Sequence, residues 1–401
     1  MRYISIVIQS RKGGVFLINK ERATQFLQTL VQINSVNPPA NELVVAHKIA
    51  EHCTSYGLEV DIQMIDDARA NIIVRLLSNA KEKNASLVFS GHLDTVPVGD
   101  IPWDYEPFSA EIIDGKMYGR GTTDMKGGVA ALLEAMIILK EKKIPLKGDL
   151  LFLGTAGEEV DCIGAKQAIE TDIVKNAGAI IIAEPSSGEI FCAHKGVLWL
   201  EIETFGKTAH GSMPQNGINA ITHMHKVISA LQTYSFRAVE EHPLLGRPTL
   251  VISTIKGGVT TNVIPDYCAI RIDIRSTPLL SHQEIIEDIK GIIGEVQKTE
   301  HDFNAKIHVL HDLNSIDYSG SQALLAQLKA VKNELSNVTL LEKGVNYYTD
   351  GSVFSVATNA PIIIYGPGNE NLAHQPNEHI EMNAFFDAIE FYSVFAERYL
   401  T

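Results

Sequence analysis

The 401-residue chain lacks three features that would place it on a membrane or on nucleic acid. It has no apolar run of the roughly 18 residues that a membrane-spanning helix requires. It has no cluster of Lys and Arg able to follow a phosphate backbone, and its formal net charge is −14. Its first 21 residues do not resemble a cleavable export signal. We therefore expect neither a membrane nor nucleic acid as a partner.

Cysteine is also scarce. Cys53, Cys162, Cys192 and Cys268 show no CxxC spacing and no evident pairing. This usage predicts buried, reduced thiols in a cytoplasmic protein rather than a disulfide framework or a thiolate metal site. The chain also has no internal repeat, low-complexity tract or flexible linker, so its 45% hydrophobic content is expected to form packed domains.

Residues 1–16 stand apart from the rest of the chain. We expect them to form a disordered extension. The stretch "RKGGVFL" is also what an in-frame, purine-rich ribosome-binding site would encode just upstream of a start codon. The alternative is therefore that synthesis begins near Leu17 and that the native protein lacks residues 1–16.

Strands and helices alternate through most of the chain. Apolar strands such as "LLFLGTA" and "AIIIA", separated by helices, are typical of a sheet covered on both faces. The pattern predicts an α/β fold with a mostly parallel sheet and helices on both faces. Its predicted helices are 20–33, 41–56, 125–140 and 163–175, and its predicted strands are 59–65, 71–76, 86–92, 148–156 and 178–185.

A different pattern begins at residue 196. The order strand, helix, strand, strand, helix, strand over residues 196–309 is a split βαβ arrangement of the α+β, ferredoxin-like type. The α/β pattern then resumes with a helix at 321–334, a buried strand at 360–368 and a C-terminal helix. We therefore predict a catalytic domain formed by 17–195 and 310–401, with 196–309 as an inserted domain.

Polar residues follow the buried strands of the α/β part. His92 and Asp94 follow one strand, Glu158 and Glu159 another, and Glu184 a third. His374 lies in a Gly-rich loop after the last buried strand, and Asp124 lies in "GRGTTDMKGG" at the start of a helix. Ligands of open parallel sheets bind beyond the carboxyl ends of the strands, so we expect these side chains to meet in one crevice.

Each of these residues also has a simpler interpretation when it is taken alone. The alternatives are a loop histidine for His92, a helix N-cap for Asp124, an exposed acidic pair for Glu158 and Glu159, a surface turn for Glu184 and a solvated loop for His374. The recurrence of the same topological position favours a shared site. Mutual repulsion forbids so many carboxylates in one crevice unless protons or cations offset them, and two divalent metals resolve this.

The motifs resemble a family when they are read in order. "SGHLDTVP", "GRGTTDMKGG", "GTAGEE", "AEP", "GKTAHGSMPQNGINAI", "TNVIPD" and "AHQPNE" look like the metal-dependent deacylases and exopeptidases. That family includes acetylornithine deacetylase, succinyl-diaminopimelate desuccinylase, aminoacylase and carboxypeptidase G. The resemblance covers the chain after about residue 20 and implies a zinc-exopeptidase-like fold whose inserted domain serves as a lid and a dimerisation domain.

The resemblance also implies roles for individual residues. His92 and Glu184 would bind one metal, Glu159 and His374 the other, and Asp124 would bridge the two. Asp94 would accept the second N–H of the His92 ring. Glu158 would act as general base towards water and then as acid towards the leaving amine. His210 would stabilise the oxyanion. The metal ions implied are two Zn²⁺, with Co²⁺ or Mn²⁺ as substitutes.

A small N-acyl amino acid is the implied substrate. Lys195, Asn262 and Arg275 resemble family positions that contact substrate carboxylates, and Thr349 is expected to line the same pocket. Arg275 could instead be a solvated charge on a strand face. We expect desuccinylation of N-succinyl-diaminopimelate, with acetylornithine deacetylase or another N-acyl-amino-acid deacylase as the alternative and a dipeptidase or carboxypeptidase as a further one. The family further implies a homodimer formed through residues 196–309.

Overall fold

The structure is a computed structural model that describes residues 16–237 and 240–401. The prediction for residues 1–16 lies outside the described residues except for Phe16. Phe16 is buried, and the ammonium of Lys142 lies 4.3 Å from the centre of its ring. Among the described residues, no helix is both long enough and apolar enough to cross a bilayer.

Sixteen strands are formed by the described residues, several of them very short. In chain order they are β1 (Glu59–Met64), β2 (Ala70–Leu76), β3 (Asn84–His92), β4 (Ile112–Ile113), β5 (Lys116–Tyr118), β6 (Gly148–Thr155), β7 (Ala177–Ile182), β8 (Ile190–His194), β9 (Gly196–Phe205), β10 (Thr249–Gly257), β11 (Tyr267–Ser276), β12 (Asn304–Leu313), β13 (Ile316–Asp317), β14 (Glu342–Val345), β15 (Ile362–Ile364) and β16 (His379–Glu381).

The described residues form ten α-helices and three shorter helical segments. The α-helices are α1 (Lys20–Gln32), α2 (Glu42–Ser55), α3 (Gly127–Glu141), α4 (Ile163–Ala168), α5 (Asp172–Lys175), α6 (Ala220–Gln232), α7 (His282–Thr299), α8 (Gln322–Ser336), α9 (Gly351–Ala357) and α10 (Met382–Leu400). The shorter segments are Thr122–Lys126, Pro214–Asn216 and Glu370–Leu372.

The chain separates into two compact units. The first contains the described residues up to Cys192 together with Tyr318–Lys343 and Thr349–Thr401. The second contains Ala193–Asp317 and Gly344–Tyr348. Most of the second unit is therefore one continuous stretch of sequence, inserted between two segments of the first unit's sequence.

The first unit is built around a twisted sheet in the order β1-β2-β6-β3-β7-β15-β8. The central strands β6, β3, β7 and β15 are parallel, and the strands outside them pair antiparallel. Helices α3 and α10 pack on β3 and β6, whereas α2 and α4 pack on β2. Helix α3 is mostly apolar and almost wholly buried, as expected for a helix enclosed by the core. The predicted α/β class with a mostly parallel sheet is confirmed.

The second unit contains a four-stranded antiparallel sheet in the order β10-β11-β9-β12. Helices α6 and α7 pack on this sheet through Met224, Val227, Ile285 and Ile289, which join a core with the inward residues of β9 and β11. A capping box between Ser281 and Glu284 begins α7. This strand order and the two helices are those of the predicted ferredoxin-like split βαβ arrangement.

Candidate metal centre

Three strand ends bring the first group of polar side chains together. His92 is the last residue of β3, Glu158 and Glu159 follow β6, and Glu184 follows β7. Strand β3 lies between β6 and β7 and is parallel to both, with His92 paired to Thr155 at the end of β6. The carboxyl ends of parallel strands meet at one edge of a sheet, so these four side chains share that edge.

Asp124 reaches the same edge from the turn that precedes α3. The turn is non-helical at Asp124, with a cis peptide bond between Asp124 and Met125. A close approach of backbones fixes the start of α3, because a Cβ on Gly128 would lie 2.2 Å from the carbonyl oxygen of Ala183. Glycine is thus required next to the strand end that carries Glu184.

The two oxygens of Asp124 face two different histidines. Oδ1 lies 3.1 Å from Nε2 of His92, and Oδ2 lies 3.3 Å from Nε2 of His374. His374 reaches this position from the loop after β15 with a left-handed backbone, φ 64°. A non-glycine residue in this region is uncommon and is typical of functional loops.

Each imidazole also faces a second carboxylate. Nε2 of His92 lies 3.7 Å from Oε1 of Glu184, and Nε2 of His374 lies 3.2 Å from Oε2 of Glu159. The arrangement therefore consists of two half-sites, one formed by His92 and Glu184 and the other by His374 and Glu159. Asp124 is common to both.

The negative charges of the cluster exceed what its own histidines can balance. Burial raises the pKa of Glu184 and of Glu159, and repulsion from neighbouring carboxylates adds to this increase, while His92 and His374 oppose it. Burial would also raise the pKa of Asp124, but hydrogen bonds with His374 and His92 hold it well below its usual range. Hydrogen bonds with Asp124 and Glu159 raise the pKa of His374 to about 10.

The donor set fits divalent cations. Oε1 of Glu159 is buried and has no hydrogen-bond partner among the described residues. A buried carboxylate oxygen without a donor is costly unless a cation meets it. Imidazole nitrogens with carboxylate oxygens are ligands of catalytic zinc and related ions. His92, Asp124 and Glu159 place ligand atoms within 4.8 Å of one another, as do His92, Glu158 and Glu184.

Glu158 lies beside the half-site of His92 and Glu184, and it is the carboxylate to which the family resemblance gives no ligand role. Burial, followed by repulsion from Glu184, raises its pKa well above the usual value for glutamate. A carboxyl group with a raised pKa beside a cation site is suited to accept and return a proton.

Asp94 differs from expectation in how it contacts the cluster. The Nδ1 of His92 donates to the backbone carbonyl of Asp94 at 3.0 Å, and the nearer carboxylate oxygen is 3.6 Å away. The carboxylate instead accepts the backbone N–H groups of Glu158 and Glu159, each at 3.2 Å, and the side-chain amide of Asn37 at 3.1 Å. The carbonyl thus fixes the ring, and the carboxylate fixes the turn that carries both glutamates.

Thr349 also lies in the first unit, but it is fully buried. Its hydroxyl accepts the N–H of Gly351 at the start of α9, at 3.0 Å. Its neighbour Asp350 is buried beneath the cluster and accepts the hydroxyl of Thr155 at 2.5 Å. Burial raises the pKa of Asp350 to about 6.

The other predicted site residues lie in the second unit, where they form two groups. His210 is exposed, contacts Oγ of Ser212 at 2.8 Å and pairs through its backbone with Val263, beside Asn262. Lys195 donates to the carbonyl of Arg247 at 2.9 Å, and burial together with the charge of Arg275 lowers its pKa. Arg275 itself donates to Asp273 at 2.9 and 3.1 Å.

Sequence reasoning gave no role to three buried charged residues beside the cluster, namely Arg120, Asp350 and Glu378. Arg120 and Glu378 lie within the motifs "GRGTTDMKGG" and "AHQPNE", and Asp350 directly follows the candidate residue Thr349. A charged residue between two glycines, as Arg120 is, was the signal that could have identified one of them.

Comparisons with known proteins identify the family of the chain. Residues 88–398 match the model of the peptidase family M20/M25/M40. A protein of Staphylococcus aureus named probable succinyl-diaminopimelate desuccinylase is 27% identical over 95% of this chain and 98% of its own. An acetylornithine deacetylase of Buchnera aphidicola is 34% identical over 74% of this chain and 76% of its own. The aminopeptidase PepT of Bacillus cereus has the same fold, with a TM-score of 0.75, 24% identity and coverage of 95% and 98%.

Proposed function

The chain belongs to the peptidase family M20/M25/M40, and on this basis we propose that it removes the acyl group from a small N-acyl amino acid. As a member of that family it is a metal-dependent hydrolase of amide bonds. One observation carries the proposal. The two oxygens of Asp124 face two separate histidine–carboxylate pairs, which is the arrangement that a bridging ligand of two cations requires.

The two half-sites define which residues would hold the ions. His92 and Glu184 would bind one, His374 and Glu159 the other, and Asp124 both. Zn²⁺ is the proposed metal, with Co²⁺ or Mn²⁺ as substitutes, since the same ligands accept several ions. The ions would polarise the scissile carbonyl and lower the pKa of a bound water.

Proton transfer falls to Glu158. It would remove a proton from the attacking water and later deliver it to the nitrogen of the leaving amine. Its position within 4.8 Å of ligand atoms of His92 and Glu184 places it beside the proposed cation site, where such a proton transfer would take place. The carboxylate of Asp94 supports this role, because it fixes the backbone N–H of Glu158.

His210 is proposed to stabilise the oxyanion, and Lys195, Asn262, Arg275 and Thr349 to contact the substrate. Two features support these roles. Ser212 orients the His210 ring, and Lys195 and Arg275 place two positive charges near each other, as a substrate carboxylate requires. Arg275 would have to share its charge with Asp273, while Thr349 would act through the buried turn before α9.

N-succinyl-diaminopimelate is the proposed substrate. The 27% identity over 95% of the chain to the S. aureus protein of that name supports it. The shorter match at 34% identity supports acetylornithine as the alternative. A dipeptidase or carboxypeptidase would use the same metal centre and differ only in the residues that contact the substrate.

We further propose a homodimer formed through residues 196–309, which would also act as a lid, and a cytoplasmic location. Strand β10 is an edge of its sheet, and Val251 and Ile255 on it are 56% and 58% exposed. An edge strand that carries exposed apolar side chains is suited to pair with a second copy. The four cysteines, all among the described residues, are buried and form no disulfide, which supports a reducing compartment.

A hydrolysis panel tests the proposal. Metal-stripped protein would be supplied with Zn²⁺, Co²⁺ or Mn²⁺ and given N-succinyl-diaminopimelate, N-acetylornithine, other N-acyl amino acids and dipeptides. We expect the highest kcat/KM for N-succinyl-diaminopimelate and none without metal. A preference for acetylornithine or dipeptides would move the assignment to the alternatives. Protein that binds two ions yet hydrolyses no member of the panel would contradict it.

A further inference from the structure

A second buried charge network lies beside the metal centre. Arg120 and Glu378 form an ion pair with 2.6 Å between Nη1 and Oε2, and their side chains are 1% and 0% exposed. The two residues are far apart in sequence. Burial of two charged side chains costs free energy. Proteins retain such a pair only where most of its hydrogen-bond donors and acceptors have partners. The remaining contacts of the pair therefore indicate what it holds in place.

The other oxygen of Glu378 holds the backbone of the bridging ligand. Oε1 accepts the N–H of Thr123 at 2.8 Å and the N–H of Asp124 itself at 3.1 Å. The backbone N–H of Gly119 donates to the carbonyl of Glu378 at 2.9 Å. A single glutamate thus fixes the orientation of the peptide from which the Asp124 carboxylate extends.

The guanidinium of Arg120 holds two other loops of the site. Nη2 donates to the carbonyl of Pro97, in the loop after His92, at 3.2 Å, and approaches the carbonyl of His374 at 3.5 Å. Nη1 also contacts the carbonyl of Gln375 at 3.4 Å. The planar fork of arginine allows one side chain to reach several acceptors at once.

The backbone around Arg120 is adapted to this inward position. Gly119 and Gly121 have φ of 154° and 87°. A Cβ on Gly121 would lie 2.8 Å from Cγ2 of Thr95, and one on Gly119 would lie 2.6 Å from Cγ1 of Val31. Only glycine fits at both flanking positions, which explains the "GRG" of the motif.

We propose that Arg120 and Glu378 are positioning residues that hold Asp124 and His374 at the separation two bound cations require. A bridging carboxylate is preorganised for two ions when its backbone is held in one orientation, and Glu378 binds that backbone directly. Arg120 links the same glutamate to the loop of His374, so the pair joins ligands from distant parts of the chain. This inference rests on the metal centre of the proposed function.

The test compares two arginine–glutamate pairs in the full-length protein, each with a fully buried glutamate. Glu134 provides the control. It is fully buried in α3 and contacts Arg22 and His52, each at 2.8 Å, but it contacts no ligand residue of the centre. The dissociation constants of both Zn²⁺ ions would be measured by competition with a chelator for the wild type, Glu378→Gln and Glu134→Gln. Denaturant unfolding of the metal-free proteins would be measured in parallel.

We expect Glu378→Gln to weaken at least one zinc site by roughly 10- to 100-fold, the usual effect of losing an outer partner of a ligand. Glu134→Gln should lower the unfolding midpoint of the metal-free protein yet leave both zinc constants within about 3-fold of the wild type. Equal zinc constants in the wild type and Glu378→Gln would overturn the inference. A wild type that binds no zinc would overturn the proposed function as well.

Arg120→Lys decides the matter if Glu378→Gln does not fold. Lysine keeps the positive charge against Glu378 but loses the fork that reaches Pro97, Gln375 and His374. We expect a folded protein in which one zinc ion is bound roughly 10-fold more weakly while the other changes less. Unchanged affinity for both ions in this variant would leave the pair with a structural role alone.

Discussion

Histidines meet carboxylates in both units of the protein, but the charge balance differs. In the second unit the contacts are one to one: His282 with Asp312, His242 with Asp317 and His308 with Glu203. In the first unit, two histidines face four carboxylates, namely Asp124, Glu158, Glu159 and Glu184. The excess of carboxylates, and not a histidine–carboxylate contact as such, identifies the cation site.

One set of contacts in the second unit has the arrangement of a catalytic triad although it is structural. Nε2 of His282 lies 2.6 Å from Oγ of Ser276 and Nδ1 lies 2.5 Å from Asp312, in the order of a nucleophilic triad. Ser276 is fully buried, and a Cβ on Gly196 would lie 2.5 Å from its hydroxyl. No substrate can reach that oxygen. The contact ties the start of α7 to β11 and β12.

The largest expected effect comes from removing the shared ligand. Asp124→Asn should lower metal content below two ions per chain and reduce hydrolysis below detection, because both half-sites depend on this residue and enzyme rate enhancements exceed about 10⁶-fold. Elemental analysis and the hydrolysis assay check this. Asp312→Asn in the second unit is the control and should keep both ions. Equal metal loss in both variants would contradict the distinction between the units.

Within the cluster, Glu158 and Glu159 should separate chemistry from metal binding. Glu158→Gln should keep two ions and lower kcat by about 10²- to 10⁴-fold, the usual contribution of a general base. Glu159→Gln should lose the ion of the half-site that Glu159 forms with His374. Metal content and kcat measured on the same preparations decide between the roles. A Glu158→Gln variant with fewer ions would make Glu158 a ligand.

Metal binding should stabilise the wild type. Free zinc at 100 times its dissociation constant should raise the free energy of unfolding by about 2.7 kcal/mol for each site, since the ion binds only the folded chain. Denaturant titrations with zinc and with a chelator measure this difference. In Asp124→Asn the same titrations should show a smaller zinc-dependent increase in the free energy of unfolding. An increase equal to that of the wild type would argue that zinc binds elsewhere.

The smallest expected effect concerns how the free energy of unfolding depends on pH. The sign of this dependence should differ between Asp312 in the second unit and Glu184 in the first. The hydrogen bond with His282 lowers the pKa of Asp312, so its stabilisation is present above the ordinary aspartate pKa and is lost as the pH falls through the lowered one. Burial raises the pKa of Glu184 in the metal-free cluster, so that residue stabilises the fold in acid, and this stabilisation is lost as the pH rises above the ordinary glutamate pKa. Unfolding of metal-free wild type, Asp312→Asn and Glu184→Gln from pH 3 to pH 8 checks both signs. Parallel curves for the three proteins would contradict this expectation.

The sequence predicted the long elements but not the short ones. Strands β8, β13 and β14 were missed, because two to five residues carry too little periodicity to be distinguished from a loop. The predicted helix 163–175 is two helices, α4 and α5, because Thr171 adopts an extended backbone between them. Its apolar spacing continues through the break, so local pattern alone could not reveal it.

The candidate cluster could be anticipated because strand ends carry it. The sequence predicted a mostly parallel sheet, and the carboxyl ends of parallel strands share one edge, so the residues after β3, β6 and β7 were expected to meet there. The ion pair of Arg120 and Glu378 could not be anticipated, since no local pattern links residues so far apart. The orientation of the Asp94 carboxylate depends on side-chain rotation, which a sequence motif does not specify.

The position of β15 in the sheet affects how the protein is made. Ile362 of β15 pairs with Ile180 of β7, and Ile364 pairs with Phe191 of β8, so a strand synthesised late fills a gap between two early ones. While the nascent chain emerges from the ribosome, Ala193–Asp317 is complete before that gap can close. His374 leaves later still. Ribosome-bound chains that end before it should therefore lack one half-site of the candidate metal centre.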